Sequence, residues 1–176
     1  MGINKAIACL KAIGIKPKVD LFGDRIKIQK AIFLLEQKGV EMGFNYGLHL
    51  RGPYSPTLTQ EIYAHQEEVE KLQTHETLNK VEQEKIKEYI EIFDDSEASI
   101  LEVAATYALF AYKYRFDPVS ATKRVKEMKK FYSEKQLALG MSKAKQFLYK
   151  PTKEELGEIK KDHKVWQEAS AHSVKE

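Results

Sequence analysis

The chain has 176 residues, of which 43% are hydrophobic and 31% are charged, and its formal net charge is +3. This composition supplies enough apolar side chains for a folded core and excludes a wholly disordered chain. The single cysteine, Cys9, excludes a disulfide bond within the chain. We therefore expect a soluble cytoplasmic protein in which Cys9 is a small buried side chain. The N-terminal residues lack the long apolar segment of a secretory signal peptide, and none is expected.

The charge is distributed unevenly along the chain. The net charge is +5 over residues 1–30, −9 over residues 31–110 and +7 over residues 111–176. The charged residues could be solvated helix faces, or the basic ends could pack against the acidic middle. The basic ends could also form a surface for an acidic partner such as a nucleic acid. The sequence leaves these three interpretations open.

Two helices are predicted before residue 40. The first has an apolar face made by Ile3, Ala6, Ile7 and Leu10, and Gly14 ends it. The second is predicted to begin at an N-cap, Asp24, and to end at Gly39. Its apolar residues have the helical i, i+3, i+4, i+7 spacing, at Ile28, Ala31, Ile32 and Leu35.

Between residues 44 and 50 the apolar residues alternate with other residues, at Phe44, Tyr46, Leu48 and Leu50. Alternation is typical of a strand with one buried face, and it predicts one short strand or a small hairpin. The sequence identifies no clear partner strand, and residues 69–72 are a weak candidate. In the Gly-Pro-Tyr-Ser-Pro segment that follows, Pro53 is expected to end the strand. Ser55 is expected to cap a new helix that begins at Pro56.

Six helices are predicted after this strand. Five of them have an expected first or capping residue, at Ser55, Thr77, Asp117, Ser133 and Pro151, and the connector Asp94-Asp95-Ser96 favours the start of the sixth near Ala98 through its negative charge. The helix from about Ala98 to Tyr114 is apolar almost all round, so we expect it to be the centre of the core. It is too short to cross a membrane, and no membrane association is expected.

These elements predict a mainly α fold, a compact multi-helix domain of about seven or eight helices. One short strand or small hairpin is expected near 44–50. The domain is expected to cover residues 1–168, either as one body or as two subdomains, 1–95 and 96–168. Residues 169–176 are expected to be a frayed tail.

No catalytic or metal-binding arrangement is recognisable in the sequence. The five histidines lack the spacing of metal ligands, and no glycine-rich phosphate loop is present, so no metal and no cofactor are expected. His65 falls on an apolar helix face, one turn after Glu61, and is expected to be a core histidine. We expect that the protein is not an enzyme; an enzyme whose site forms only in the fold is the alternative.

Two groups of residues are candidates for binding. The first surrounds the Gly-Pro-Tyr-Ser-Pro turn and would contact a protein partner: Arg51, Tyr54, Thr57, Lys27 and Lys30. The alternative is that the turn is only a structural corner and that Tyr54 packs on the core. The second group would bind nucleic acid in a winged-helix-like regulator: Lys123, Arg124, Lys126, Lys129 and Lys130.

Several segments resemble a known group of proteins. The residues Arg-Ile-Lys-Ile-Gln-Lys-Ala-Ile-Phe-Leu-Leu at 25–35, Phe-x-Tyr at 44–46 and Gly-Pro-Tyr-Ser-Pro-x-Leu-Thr-x-x-Ile at 52–62 resemble the YwgA-like proteins of bacteria and archaea. Those proteins usually show a Lys-Leu-Gln-Lys-Leu helix and a Gly-Pro-Tyr-Ser segment. Residues 101–106 and 125–133 are similar to the same group.

More remotely, the Gln-Lys helix followed by a Gly-Pro turn is similar to the Panacea (SocA-type) antitoxin domain. That domain is an antitoxin and protein-interaction module. The resemblance implies a non-enzymatic interaction module, antitoxin-like or regulatory, with a protein partner. A homodimer is a further option.

Overall fold

The computed structural model describes residues 2–150 and five later positions, Glu154, Gly157, Glu158, Lys161 and Lys164. Within these residues the protein has eight α-helices and one two-stranded antiparallel sheet, which confirms the predicted fold class. Apart from those five positions, the predicted helix that begins at Pro151 lies outside the described residues, and so does the tail over 169–176.

The helices and strands follow one another along the chain as α1 Gly2–Ala12, α2 Phe22–Gln37, β1 Gly47–His49, β2 Gly52–Tyr54, α3 Pro56–Ala64, α4 Gln66–Lys71, α5 Lys80–Phe93, α6 Ala98–Ala108, α7 Pro118–Met128 and α8 Glu134–Leu148. A π-helical turn, Leu109–Lys113, continues α6, so the predicted helix over 98–114 changes its hydrogen-bonding pattern in its last part.

Helix α6 is the centre of the core, as its sequence predicts. All residues from Ile100 to Ala108 are buried, and the helix packs against both α2 and α8. Gly140 permits the close approach of α8, because a Cβ atom at that position would lie 2.6 Å from the Cβ of Val103. One contiguous cluster of buried side chains contains residues from before and after position 96.

Three predicted N-caps are confirmed. The Ser55 hydroxyl accepts a hydrogen bond from the Leu58 N–H at 3.2 Å. The Asp117 carboxylate accepts from two backbone N–H groups in the first turn of α7, each at 3.0 Å. The Ser133 hydroxyl accepts from the Gln136 N–H at 3.2 Å. Each cap satisfies a donor that the helix itself leaves without a partner.

Two predicted N-caps are wrong. Helix α2 begins two residues before Asp24, whose carboxylate instead accepts from the Lys18 N–H at 2.9 Å. Helix α5 is capped by Asn79 and not by Thr77. Asn79 forms a reciprocal capping box with Glu82, in which two backbone N–H groups gain acceptors at 3.0 Å.

The strand partner differs from the prediction. Strand β1 pairs antiparallel with β2, with Leu48 opposite Pro53. Residues 69–72 are not the partner, because Val69 lies in α4. Pro53 does not end a strand but lies within one. A two-stranded sheet tolerates this proline because an edge strand can leave one N–H position without a sheet partner.

The burial of residues 44–50 also differs from the prediction, which was a strand with one buried face. Tyr46 is buried, but it precedes β1, and all three residues of β1 are exposed.

The prediction that His65 is a core histidine is also wrong. It lies between α3 and α4, where its half-exposed ring is 3.7 Å from the carboxylate of Glu61.

Of the described helices, none has the length and apolar character needed to cross a membrane.

Candidate functional site

Two polar side chains of α2 join the hairpin to the core. Gln29 donates to the Ser55 carbonyl at 3.0 Å and to the Thr59 hydroxyl at 2.9 Å, and it accepts from the Ser55 N–H at 3.0 Å. Lys30 Nζ donates to the Pro53 carbonyl at 2.7 Å. Both side chains are buried. These bonds give the outgoing end of the hairpin a fixed position on α2, since a buried polar group left without a partner is costly.

A buried ion pair fixes the turn of the hairpin. Lys129 Nζ lies 2.7 Å from Glu102 Oε1 and donates to the Leu50 carbonyl at 2.8 Å. Arg51 Nη1 lies 3.6 Å from the other carboxylate oxygen of Glu102. The side chains of Glu102 and Lys129 are 1% and 0% exposed. The turn, α6 and the C-terminal end of α7 therefore meet at one buried carboxylate.

Gly52 brings the turn directly against α6. Its φ is +84°, which side chains rarely adopt, and a Cβ atom would lie 2.2 Å from the Thr106 hydroxyl oxygen. The Thr106 hydroxyl donates to the Glu102 carbonyl at 2.7 Å. Only glycine fits this position without movement of the turn.

A pocket of about 310 Å³ lies between α2 and the hairpin. Three of its lining residues are cations, Arg25, Lys30 and Arg51, and within the described chain no carboxylate lines it. Phe22 and Tyr54 contribute aromatic rings. A larger cavity, of about 890 Å³, is different, because its two lysines face two glutamates. The pocket beside the hairpin, by contrast, has a clear excess of positive charge.

Lys30 has the most unusual environment in this pocket. Burial is the main cause that lowers the pKa of Lys30, to about 7, and the charges of Lys129 and Arg51 lower it further, while Glu102 opposes them. Burial also lowers the pKa of Lys129, and Glu102 opposes that shift. One buried carboxylate thus faces three basic side chains, those of Lys30, Arg51 and Lys129.

Exposed side chains surround the partly exposed Arg51. Its guanidinium carbon lies 5.8 Å from the ring centre of Phe22 and 5.7 Å from that of Phe131, within the range of cation–π contact. Phe22 is 57%, Phe131 60% and Leu50 73% exposed. We call Phe22, Leu50, Arg51 and Phe131 the hairpin patch.

The fold brings three of the five predicted partner-binding residues together. Arg51, Tyr54 and Lys30 line the same pocket. Thr57 is exposed at the start of α3 and does not line it. Lys27 lines a different cavity, of about 230 Å³, together with three aspartates. Tyr54 is partly buried beside the pocket, with its ring 5.3 Å from that of His49.

The predicted nucleic-acid residues do not all reach the surface. Lys129 is buried against Glu102, so its assignment to a nucleic-acid surface is wrong. The other four are exposed: Lys123, Arg124, Lys126 and Lys130. Arg124 lies 3.7 Å from the carboxylate of Glu127, and Lys126 lies 3.1 Å from that of Glu134. Part of this positive charge is therefore balanced locally.

Sequence reasoning missed several residues of the site, among them Gln29, Arg25, Phe22, Phe131 and Glu102. Glu102 did leave a signal, because it is the one carboxylate in the most apolar helix of the described chain. An acidic residue in such a helix needs a buried cation as its partner.

Metal-binding and nucleophilic side chains are the remaining candidates for chemistry in the described part of the chain. No group of three or more His, Cys, Asp or Glu side chains there is placed to hold a metal ion. Cys9 is buried, as expected, and burial raises its pKa to about 12. This thiol is therefore a packing residue and not a nucleophile.

Comparison of the chain with protein-family models, curated proteins and solved structures found no match. The resemblance to the YwgA-like proteins stays a prediction from the motifs.

Proposed function

We propose that the protein is a non-enzymatic interaction module that binds a protein partner through the hairpin patch. The observation that carries this proposal is the position of Arg51 between two exposed phenylalanine rings at the turn of the hairpin. Phenylalanine and arginine are enriched at protein interfaces, and arginine is also enriched among the residues that dominate binding energy there.

The hairpin patch rests on a rigid base. The Leu50 carbonyl is held by Lys129, and the Pro53 carbonyl is held by Lys30. A binding loop that is already ordered loses little conformational entropy on association, which favours affinity. The exposed tip with a buried, hydrogen-bonded base is the arrangement that a presented binding loop requires.

The chemistry of the hairpin patch indicates the chemistry of its partner. Phe22, Leu50 and Phe131 offer apolar contact, and the partly exposed guanidinium of Arg51 offers paired N–H donors. The complementary surface is apolar and contains a carboxylate. The motif resemblance to an antitoxin domain supports a protein partner as well, and an antitoxin-like or regulatory role would follow from the identity of that partner.

Nucleic-acid binding is the second candidate function. Four exposed cations on and just after α7 favour it, Lys123, Arg124, Lys126 and Lys130. We place it second because two of them lie beside carboxylates. The test is the triple reversal of Lys123, Lys126 and Lys130 to Glu, followed by titration with a random duplex at low and at physiological salt. Salt-sensitive binding that this variant loses would support the candidate.

Site-specific photo-crosslinking in the native host tests the first proposal. A crosslinking amino acid replaces Leu50 in the hairpin patch, and a matched control replaces Val81, an exposed apolar residue of α5. We expect one discrete adduct from position 50 and none from position 81. Phe131→Ala should abolish the adduct from position 50 without lowering thermal stability.

Equal crosslinking from both positions, or an adduct that survives Phe131→Ala, would overturn the proposal. The mass of the adduct separates a foreign partner from a second copy of the chain. Sedimentation of the purified protein gives an independent reading of self-association.

A further inference from the structure

We propose that the pocket between α2 and the hairpin is a binding site for a small oxyanion, a phosphate, sulfonate or carboxylate group carried on a flat apolar ring. The pocket shares Phe22 and Arg51 with the hairpin patch, but its test uses the purified chain alone, without the crosslinked partner. A negative result here would therefore leave the crosslinking experiment, and the proposed function, untouched.

The first support is the charge of the pocket. Arg25, Lys30 and Arg51 line it, and no lining residue in the described chain is acidic. The nearest carboxylate in the cluster, Glu102, is bonded to Lys129 at 2.7 Å and lies 3.6 Å from Arg51, so one negative charge is shared by several cations. An oxyanion that enters the pocket would meet cations that lack an equal number of counter-charges, and charge-assisted hydrogen bonds of this kind are strong.

The second support is the hydrogen bonding of Lys30. An ammonium group has three donors, and in the part of the chain that the structure describes, the Pro53 carbonyl at 2.7 Å is its one acceptor. The side chain is only 2% exposed, so few water molecules can solvate it. An oxyanion at the floor of the pocket would supply the missing acceptors and the missing negative charge.

The third support is the apolar part of the lining. Phe22, Ile26 and Tyr54 contribute hydrophobic surface beside the cations. The volume of about 310 Å³ is at the small end of the range for ligand pockets, large enough for one ring with its anionic group. A bare inorganic ion would contact the cations but leave this apolar surface uncovered.

Proton uptake should accompany binding. The charged groups that face Lys30 are Glu102 from α6, Lys129 after α7 and Arg51 from the turn, while Arg25, His49 and Tyr54 share the pocket with it. The pKa of Lys30 is about 7, so above that pH the free site is mostly neutral at this residue. An anion favours the protonated form, and its affinity should fall as the pH rises above about 7.

Calorimetric titration with benzenesulfonate tests the proposal, because this probe keeps the same charge over the whole range of pH. Two controls separate the two properties of the probe. Inorganic sulfate has the negative charge without the ring, and benzyl alcohol has the ring without the charge. We expect benzenesulfonate to bind more tightly than either. Its dissociation constant should rise by up to about tenfold per pH unit above pH 7, with proton uptake seen in buffers of different ionisation enthalpy.

Variants of neighbouring lysines show where the probe binds. Lys30→Met should weaken benzenesulfonate binding by at least about tenfold. Lys27→Met, on the same helix but lining another cavity, should leave binding unchanged. Lys30→Arg should keep binding and remove its dependence on pH, because a guanidinium does not titrate in this range. His49→Gln shows whether the histidine that lines the same pocket contributes to the pH dependence.

Three results would overturn the inference. They are no binding of benzenesulfonate by the wild-type chain at about 10 mM, equal binding of benzyl alcohol, and equal loss in the Lys27 and Lys30 variants. The first two need only the wild-type protein, so they hold even if a variant fails to fold. The source of the anion is then tested with Lys30→Met, which leaves the four residues of the hairpin patch unchanged. If this variant lowers crosslinking from position 50, the anion belongs to the partner; if crosslinking is unchanged, the site takes a free ligand.

Discussion

Lys129 Nζ lies 2.7 Å from Glu102 Oε1, and neither side chain is more than 1% exposed. This ion pair connects the end of α7 to the middle of the most apolar helix, and the same ammonium holds the carbonyl of Leu50. Buried ion pairs are costly to desolvate, so their main contribution is often to select one arrangement of the chain. In this protein, the ion pair holds the turn of the hairpin in one position on α6.

Removal of Lys129 should therefore be far more damaging than removal of a surface lysine on the same segment. We expect Lys129→Met to lower the free energy of unfolding by about 3–5 kcal/mol, because it removes the cation closest to the buried Glu102 and leaves this carboxylate with the longer, 3.6 Å contact to the partly exposed Arg51. Lys126→Met, which breaks an exposed pair, should cost at most about 1 kcal/mol. Urea unfolding measures both. Recovery of stability in the Glu102→Leu, Lys129→Met double variant would confirm the cause, and equal losses in the two single variants would contradict it.

Stability should depend on pH through Lys30. The unfolded chain keeps the Lys30 proton up to its ordinary pKa of 10.5, whereas the folded chain releases it near 7. Between these values the unfolded state binds more protons, so the free energy of unfolding rises with pH, by up to about 1.4 kcal/mol per pH unit. Urea unfolding at pH 7 and pH 9 should show this rise in the wild type and a smaller rise in Lys30→Met. Parallel changes in the two proteins would exclude Lys30 as the source.

Gly52 should not tolerate a side chain. We expect Gly52→Ala to cost about 1–3 kcal/mol, because the new Cβ meets the Thr106 hydroxyl and the backbone has a φ of +84°. Gly47→Ala is the matched control, since that glycine lies in the same hairpin with no atom within 4 Å of its Cβ position. Thr106→Ala should restore only part of the loss, as it removes the clash but not the backbone strain. The prediction fails if both alanine variants melt at the same temperature.

The carboxyl of Glu36 should stabilise the fold mainly as a hydrogen-bond acceptor. Its Oε1 accepts from the N–H groups of Met42 and Phe44, each at 3.1 Å, and burial raises the pKa of this carboxyl. Glu36→Gln keeps an acceptor oxygen and should preserve stability, whereas Glu36→Leu should cost about 1–3 kcal/mol. The folded state holds the proton to a higher pH, so wild-type stability relative to Glu36→Gln should fall as the pH rises from 4. Chemical unfolding of all three proteins at two pH values is the measurement. Destabilisation by the Gln variant alone would refute this role.

The fold could be predicted where local rules decide it. Ser55, Asp117 and Ser133 cap helices through bonds that span two or three residues, and sequence is sufficient for such contacts. The central position of α6 followed from a helix with almost no polar face. The prediction that Pro53 ends the strand is wrong because a proline is excluded only from a central strand. Both strands of this sheet are edge strands, so either can contain a proline.

The site itself depends on contacts that no local pattern contains. Lys30 and Lys129 both look like ordinary surface lysines in the sequence. Lys129 becomes buried because Glu102, 27 positions earlier, supplies a carboxylate, and Lys30 because the carbonyl of Pro53, 23 positions later, supplies an acceptor. Whether such a lysine is buried or exposed therefore depends on which distant segment packs against it, and this requires the three-dimensional structure.

The bond from Lys129 to the Leu50 carbonyl spans 79 positions of the chain, which gives it a consequence for biosynthesis. A growing polypeptide that has emerged from the ribosome only as far as α6 already contains β1 and β2, but it lacks the ammonium that holds their turn. Contacts between such distant positions form late, because long loops must close first. Phe131 also follows α7. The nascent chain therefore cannot present the complete hairpin patch until α7 and the residues just after it have been synthesised and have packed against α6.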